Sequence, residues 1–309
     1  MHTTELPTLP PLTARKTGAR PALVIVASAL IGIAIAVFWS ARLVDDDIGL
    51  NTANGLLGQN ASSAALTGTL TSLVFAFVTG LAGTFTACNV AVFSALAPMI
   101  EHRSAHSRVS PILRPLGRLT LGAVLVAGLY GGIGALLGSR LPQLSRATIG
   151  NHIPVRLVQS VVVFGVIGLI MIYLGLAALR VVPDPLARLS RRWPGAQQLI
   201  MGMLVGGFLI GRPWPLFDKM FQHAASTHNA LFGAATFVLI VLGNMIVLGL
   251  LFLLASISRF PGWLRATPTR AATATAVALL IGGTFTFVYW AVRAPAGFGI
   301  GWFPKMPWH

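Results

Sequence analysis

Gly80-Leu-Ala-Gly83-Thr-Phe-Thr-Ala-Cys88-Asn89-Val-Ala-Val-Phe93 contains the only cysteine of the 309-residue chain. It lies inside a longer run, Gly68–Ile100, that has no charged side chain. At about 1.5 Å per helical residue such a run outreaches a hydrocarbon core of about 30 Å. The thiol and its neighbouring amide are therefore expected within a bilayer. The run is too long for one straight span. Gly80 and Gly83 weaken helix preference locally, so a kink or break is expected there.

The rest of the composition agrees. The chain is 55% hydrophobic and only 9% charged, with a mean hydropathy of +0.79, whereas a soluble domain carries about a quarter charged residues. This is the composition of an all-α integral membrane protein, with the lipid bilayer as its first partner. The formal charge of +15 does not point to nucleic acid, because Lys and Arg sit in short segments between apolar runs and no basic patch is interleaved with aromatics. A single cysteine excludes an intrachain disulfide, and no Cys/His grouping has zinc-site spacing, so no metal or other cofactor is expected. No carboxylate pair lies in an apolar run, and no glycine loop with a lysine would cradle phosphate, which leaves hydrolase and ATP-driven readings without support.

Seven apolar runs stand out: Pro21–Ala41, Gly68–Ile100, Leu119–Ser139, Leu157–Leu179, Gln198–Gly211, Asn229–Ser258 and Ala271–Val292. The fifth is short and ends in Arg212-Pro213-Trp214-Pro215, so it is either a broken helix or one that resumes past the prolines. With the N-terminus inside, 14 Lys and Arg fall in the inner segments (15, 16, 20, 103, 108, 114, 118, 180, 188, 191, 192, 259, 265, 270) and 8 in the outer ones (42, 140, 146, 156, 212, 219, 293, 305). That bias favours a cytoplasmic N-terminus and an external C-terminus in a bacterial-type inner membrane. The expected organisation is a cytoplasmic tail (1–20), a transmembrane anchor (21–41), an external linker (42–67), a six-span domain (68–293) and an external tail (294–309). A basic leader before an apolar stretch is also how a cleaved signal looks, but the run exceeds the usual signal core of about 7–15 residues.

The six spans of 68–293 divide into two sets of three, and the first helix of each set is the unusual one. Gly80-x-x-Gly83-x-x-x-Ala87-Cys88 in one half corresponds to Gly206-Gly207-x-x-x-Gly211-Arg212-Pro213-Trp214-Pro215 in the other. Paired interruptions in corresponding segments mark repeats that meet near the midplane, and an odd number of spans per half makes the repeats inverted. The expected fold is a 3+3 inverted-repeat six-helix bundle with one extra N-terminal helix.

On these residues the chain resembles the CcdA/DsbD family of membrane thiol–disulfide carriers, from about Thr67 to Arg293. A further likeness is Ala224-Ala-Ser-Thr-His-Asn-Ala-Leu-Phe-Gly233 leading to Val241-Leu-Gly243-Asn244. The resemblance implies a Pro-Cys-x-x-Pro type motif in the first helix of each half. Here the first motif reads Ala87-Cys88 with Ala91 at the following proline position, and in the second Pro213 and Pro215 flank Trp214 at the cysteine position. A disulfide needs two sulfurs at about 2 Å, so this chain cannot run the family's dithiol cycle alone.

Each polar group in an apolar run has two readings. Cys88 is either a thiol that forms a mixed disulfide with a partner or a small residue packed between helices. Asn89 and Asn244 either hydrogen-bond across the repeat interface or line a solute path. Arg212, Asp218 and Lys219 form an outer gate or anchor the interface. His102 and His106, four apart in a basic loop, have only Glu101 nearby, which is too few donors for a metal site. Gly128, Gly131, Gly132, Gly134 and Gly138 either let helices pack closely or act as hinges.

Three functional expectations follow. The leading one, implied by the resemblance, is redox maturation of exported proteins, such as cytochrome c or a disulfide-containing enzyme, with Cys88 acting through a thioredoxin-like or exported partner. The second is a permease for a small solute or soft metal ion, with Asn89, Pro213, Trp214, Pro215 and Asn244 lining a central site. The third is an assembly scaffold without chemistry. In the repeat alignment, Cys88 and Trp214 should approach each other near the pseudo-two-fold axis.

Overall fold

The computed structural model describes residues 19–85, 110–150, 153–193, 195–257 and 268–307. Among them the chain is all-α, about 79% helical. A lone antiparallel ladder pairs β1 (Thr148–Ile149) with β2 (Ile153–Pro154). Among the described residues five helices are long and apolar enough to cross a membrane: Pro21–Phe38, Arg114–Arg140, Val155–Ala178, Ala230–Leu251 and Ala272–Gly297.

In chain order, α1 (Ala19–Phe38) leads into a π-helical turn (Arg42–Leu50) and α2 (Asn51–Leu57). Then come α3 (Thr69–Ala82) with a 3₁₀ turn at Gly83–Phe85, α4 (Ser110–Leu137), α5 (Val155–Ala178) and the short α6 (Pro185–Arg192). The second half has α7 (Ala196–Gly207), α8 (Pro215–Ser226), α9 (Ala230–Ile257), α10 (Pro268–Phe287), a second π-helical turn (Val288–Arg293) and α11 (Ala294–Gly297). Large apolar side chains point both ways. Phe164, Phe217, Phe221 and Phe237 are fully buried, whereas Leu129, Val162 and Leu250 are exposed on their helices. Apolar residues on both faces are what a helix between protein and lipid requires.

Glycine decides which helices touch. A β-carbon on Gly80 of α3 would collide with the Ile240 carbonyl of α9, and one on Gly202 of α7 would collide with the Leu119 carbonyl of α4. Gly131 of α4 and Gly233 of α9 are each closed in by the other's carbonyl, as are Gly168 of α5 and Gly283 of α10. Lipid tails give no hydrophobic drive for helix association, so backbone approach at small residues supplies the packing. Gly131 and Gly134 thus serve packing, while Gly138 (φ +54), just past the end of α4, has open space around it.

Two expectations need correction. Gly80 and Gly206 are not at breaks: both lie inside regular helix, α3 and α7, where they permit crossings with Ile240 and Ala123. A helix tolerates glycine at about 1 kcal/mol, and the close contact outweighs that. The segment 42–67 is also more than a linker. It is helical over Arg42–Leu57 and seats Ala53, Ala61 and Ala64 in the main core. Alanine and glycine there are small enough to pack flush, which their low hydropathy concealed.

Candidate functional site

The second interrupted helix breaks for local reasons. α7 ends at Gly207, and Gly211 takes a left-handed conformation (φ +85) that only glycine adopts without cost. Pro213 and Pro215 each bar helix for the residue before them. Trp214 accordingly has extended backbone (φ −77, ψ 133), and Pro215 opens α8 in the first turn, where its missing N–H is no loss. The first interrupted helix ends at Ala82, and Gly83 passes into the 3₁₀ turn.

These two break points meet. Arg212 is 2% exposed, and its guanidinium donates a hydrogen bond to the Gly83 carbonyl. Its charge lies 5.4 Å from the centre of the Trp214 ring, and that ring stands against Gly83. One residue on, Thr84 donates to the Asn244 side-chain oxygen at 2.8 Å, in the middle of α9. On the other side, Ser160 of α5 donates to the Gly211 carbonyl, and Gln143 donates to the Arg212 carbonyl at 3.0 Å. Backbone freed by the breaks is thus satisfied by buried side chains, as an apolar surrounding demands.

A cavity of about 370 Å³ opens beside the break, lined by Asp45, Arg156, Ser160, Arg212, Pro213, Trp214, Tyr289, Trp290 and Arg293 among others. Segments far apart in sequence therefore share one end of the bundle. Trp214 donates its indole N–H to the Asp45 carbonyl at 3.3 Å, which ties the first π-helical turn to the break. One carboxylate oxygen of Asp45, Oδ1, is buried and has no hydrogen-bond partner among the described residues. Burial pushes the Asp45 carboxyl up to about 6; Arg212 opposes the rise and Asp46 adds to it.

The expected site residues fall into separate places. Arg212, Pro213 and Trp214 line the cavity, Gly83 and Gly211 flank it, and Asn244 joins through Thr84. Pro215 starts α8, and Gly207 ends α7 against Ile167. Asp218 and Lys219 do not form a gate with Arg212. Asp218 pairs with Arg156 at 3.5 Å and accepts from Gln143. Lys219 donates to the carbonyls of Ala61, Ser62 and Ala64 at 2.8, 2.9 and 2.6 Å, and burial lowers its pKa. Cys88, Asn89, His102 and His106 lie outside the described residues, and with them the Cys88–Trp214 approach.

Sequence reasoning missed Asp45, Thr84, Arg156, Tyr289, Trp290 and Arg293 as neighbours of the break. Asp45 carried a signal, being one of three consecutive acids at the end of an apolar run, but a carboxylate at an interface is ordinarily solvated. Among the described residues, no three His, Cys, Asp or Glu side chains cluster as a metal site would require. No protein-family model, curated protein or solved structure matches this chain.

Proposed function

We propose that this chain is a divergent CcdA/DsbD-like protein of a bacterial-type inner membrane that supports redox maturation of exported proteins. In this reading its core is a 3+3 inverted repeat, preceded by an N-terminal span, with the N-terminus cytoplasmic and the C-terminus external. The observation that carries it is the junction of the two interrupted helices. Arg212 bonds the carbonyl of Gly83, and Trp214 stands against that glycine, five residues before Cys88 in the chain. What supports the reading is that the segment leading to the first motif, at Gly83, lies against Arg212 and Trp214 of the second.

With one sulfur the chain acts as a monothiol relay. The Cys88 thiolate attacks a disulfide of an exported client, and one client sulfur leaves as thiolate. A thiolate of a thioredoxin-like partner then attacks the Cys88 sulfur, which releases the second client thiolate. The partner's other thiol displaces Cys88, so the client disulfide is reduced, the partner dithiol is oxidised and Cys88 is regenerated. Thiolate is the reactive form in every step.

The test is mass spectrometry of mixed disulfides trapped on the full-length membrane protein, wild type against Cys88→Ser. Client and partner adducts on wild type alone are expected. Full complementation by the serine variant would remove the thiol role.

A further inference from the structure

The cavity beside the break has a chemistry that thiol exchange does not use. Its polar lining comes from four separate segments: Asp45 from the first π-helical turn, Arg156 and Ser160 from the start of α5, Arg212 from the break and Arg293 from the second π-helical turn. Three arginines and one aspartate thus contribute to the lining, with Arg212 the cation that acts on Asp45 and Arg156 paired with Asp218. The remaining walls are largely apolar and include four aromatic residues, Trp214, Tyr289, Trp290 and Phe298. Trp290 is itself held by a ring contact with Phe164 at 4.6 Å, and Arg293 stacks on Tyr289 at 4.9 Å while donating to the Ala36 and Trp39 carbonyls. Trp290, Tyr289 and Arg293 are therefore pre-positioned, which lowers the ordering cost of binding at that side of the cavity.

The geometry points to a binding site for a small organic anion with a flat apolar body, its charge held by Arg156 and Arg293 with buried Arg212 adding to the field, and its body beside the aromatic rings. Planar, fixed forks of donors suit a carboxylate or similar anion, and about 370 Å³ lies in the range of small-ligand sites. Even with Asp218 paired to Arg156 and Asp45 ionised, the surroundings keep a net positive charge, which disfavours a cationic ligand, and the predominantly apolar wall disfavours a bare inorganic ion.

Asp45 makes the site sensitive to pH. The charged or titratable groups that share the cavity with it are Arg156, Arg212, Arg293 and Tyr289, with Asp46 beside it in its own turn. No histidine lines the cavity among the described residues. Ionised, Asp45 offsets the field of Arg212 and repels an incoming anion. Protonated, it leaves that field to the ligand. Its carboxyl lines the cavity with a buried, unpartnered Oδ1 and is pushed up to about 6 by burial, so anion affinity rises as pH falls through that region.

The experiment is equilibrium dialysis of labelled benzoate against the full-length protein in lipid nanodiscs, with benzamide and inorganic phosphate as competitors. Benzoate stays ionised over the pH range used. Saturable benzoate binding is expected, tighter at pH 5.5 than at pH 7.5 by several-fold, with benzamide and phosphate each competing at least about tenfold less well, the equivalent of one charge-assisted bond. Arg156→Gln, at a side chain 52% exposed and so tolerant of change, should weaken binding by about tenfold. Asp45→Asn should bind at pH 7.5 as wild type does at pH 5.5 and lose the pH dependence. Absence of saturable binding, or competition by benzamide equal to benzoate, overturns the site. Equal competition by phosphate overturns the apolar half of the assignment, and a pH dependence that survives Asp45→Asn overturns the role of Asp45. Cys88→Ser should bind benzoate unchanged, so the outcome is separate from that of the thiol relay.

Discussion

Arg212 and Lys219, seven residues apart, do different work with the same kind of charge. Arg212 is sealed beneath Trp214 and ties one break to the other, whereas Lys219 gathers three carbonyls of the 61–64 segment. Replacing Lys219 by Met leaves those carbonyls without their donor. The expected cost is about 1–3 kcal/mol, read as a lower Tm in detergent together with faster proteolysis between α2 and α3. Asp45 is the opposite case, a group that the fold holds at a disadvantage. Its folded pKa lies above the unfolded value, so the folded state binds the proton more tightly and stability falls as pH rises from about 4 to about 6. At about 1.4 kcal/mol per tenfold change, lifting the carboxyl from 3.8 to about 6 sets a ceiling of about 3 kcal/mol, which partial exposure reduces. Asp45→Asn should therefore raise Tm at pH 7.5 by the equivalent of about 1–2 kcal/mol and leave it unchanged at pH 4. A wild-type Tm for the Asp45→Asn variant at pH 7.5 would show that the carboxylate is solvated.

At the scale of elements, glycine has three separable functions that look alike in sequence. Gly80 in α3 is a crossing point with the α9 backbone, Gly211 is a left-handed turn, and Gly117 in α4 has open space where a β-carbon would stand. Gly80→Val pushes a side chain into the Ile240 carbonyl, and two helices must separate to admit it. A loss of several kcal/mol or failure to accumulate in the membrane is expected, in the upper range of overpacking costs of about 1–3 kcal/mol or more. Gly211→Ala should cost about 1–2 kcal/mol from backbone strain, and Gly117→Ala should be neutral or gain up to about 1 kcal/mol. Thermal unfolding of the three variants side by side ranks them. The break at 211–215 was legible because proline and glycine act through their own backbone, within one or two residues. The roles of Gly80 and Gly206 were not, because a glycine inside a helix carries no mark of what passes over it.

For the whole molecule, the cavity gathers segments 41–45, 154–160, 212–214 and 289–298 at one end of the bundle, and these are the segments that the Lys and Arg bias assigns to the outside. In a Cys88→Ser background, a cysteine at Ser62 should react with an impermeant maleimide added to intact cells, and one at Val181 only after permeabilisation. Reversal of that pattern would invert the orientation. The sequence alone was enough for the helical class, for five of its seven apolar runs as helices long enough to cross a membrane, and for the point where the second interrupted helix breaks. Hydropathy, charge bias and proline geometry are properties of single residues or short windows, so they survive without tertiary information. Which helix meets which, and that Asp45 joins Arg212 and Arg293 around one cavity, was decided only in the folded protein. In an apolar medium association turns on backbone approach and on pairing of buried polar groups, and both depend on residues far apart in the chain, 51 positions for Ser160 and Gly211 and 169 for Asp45 and Trp214. A hydropathy profile registers neither.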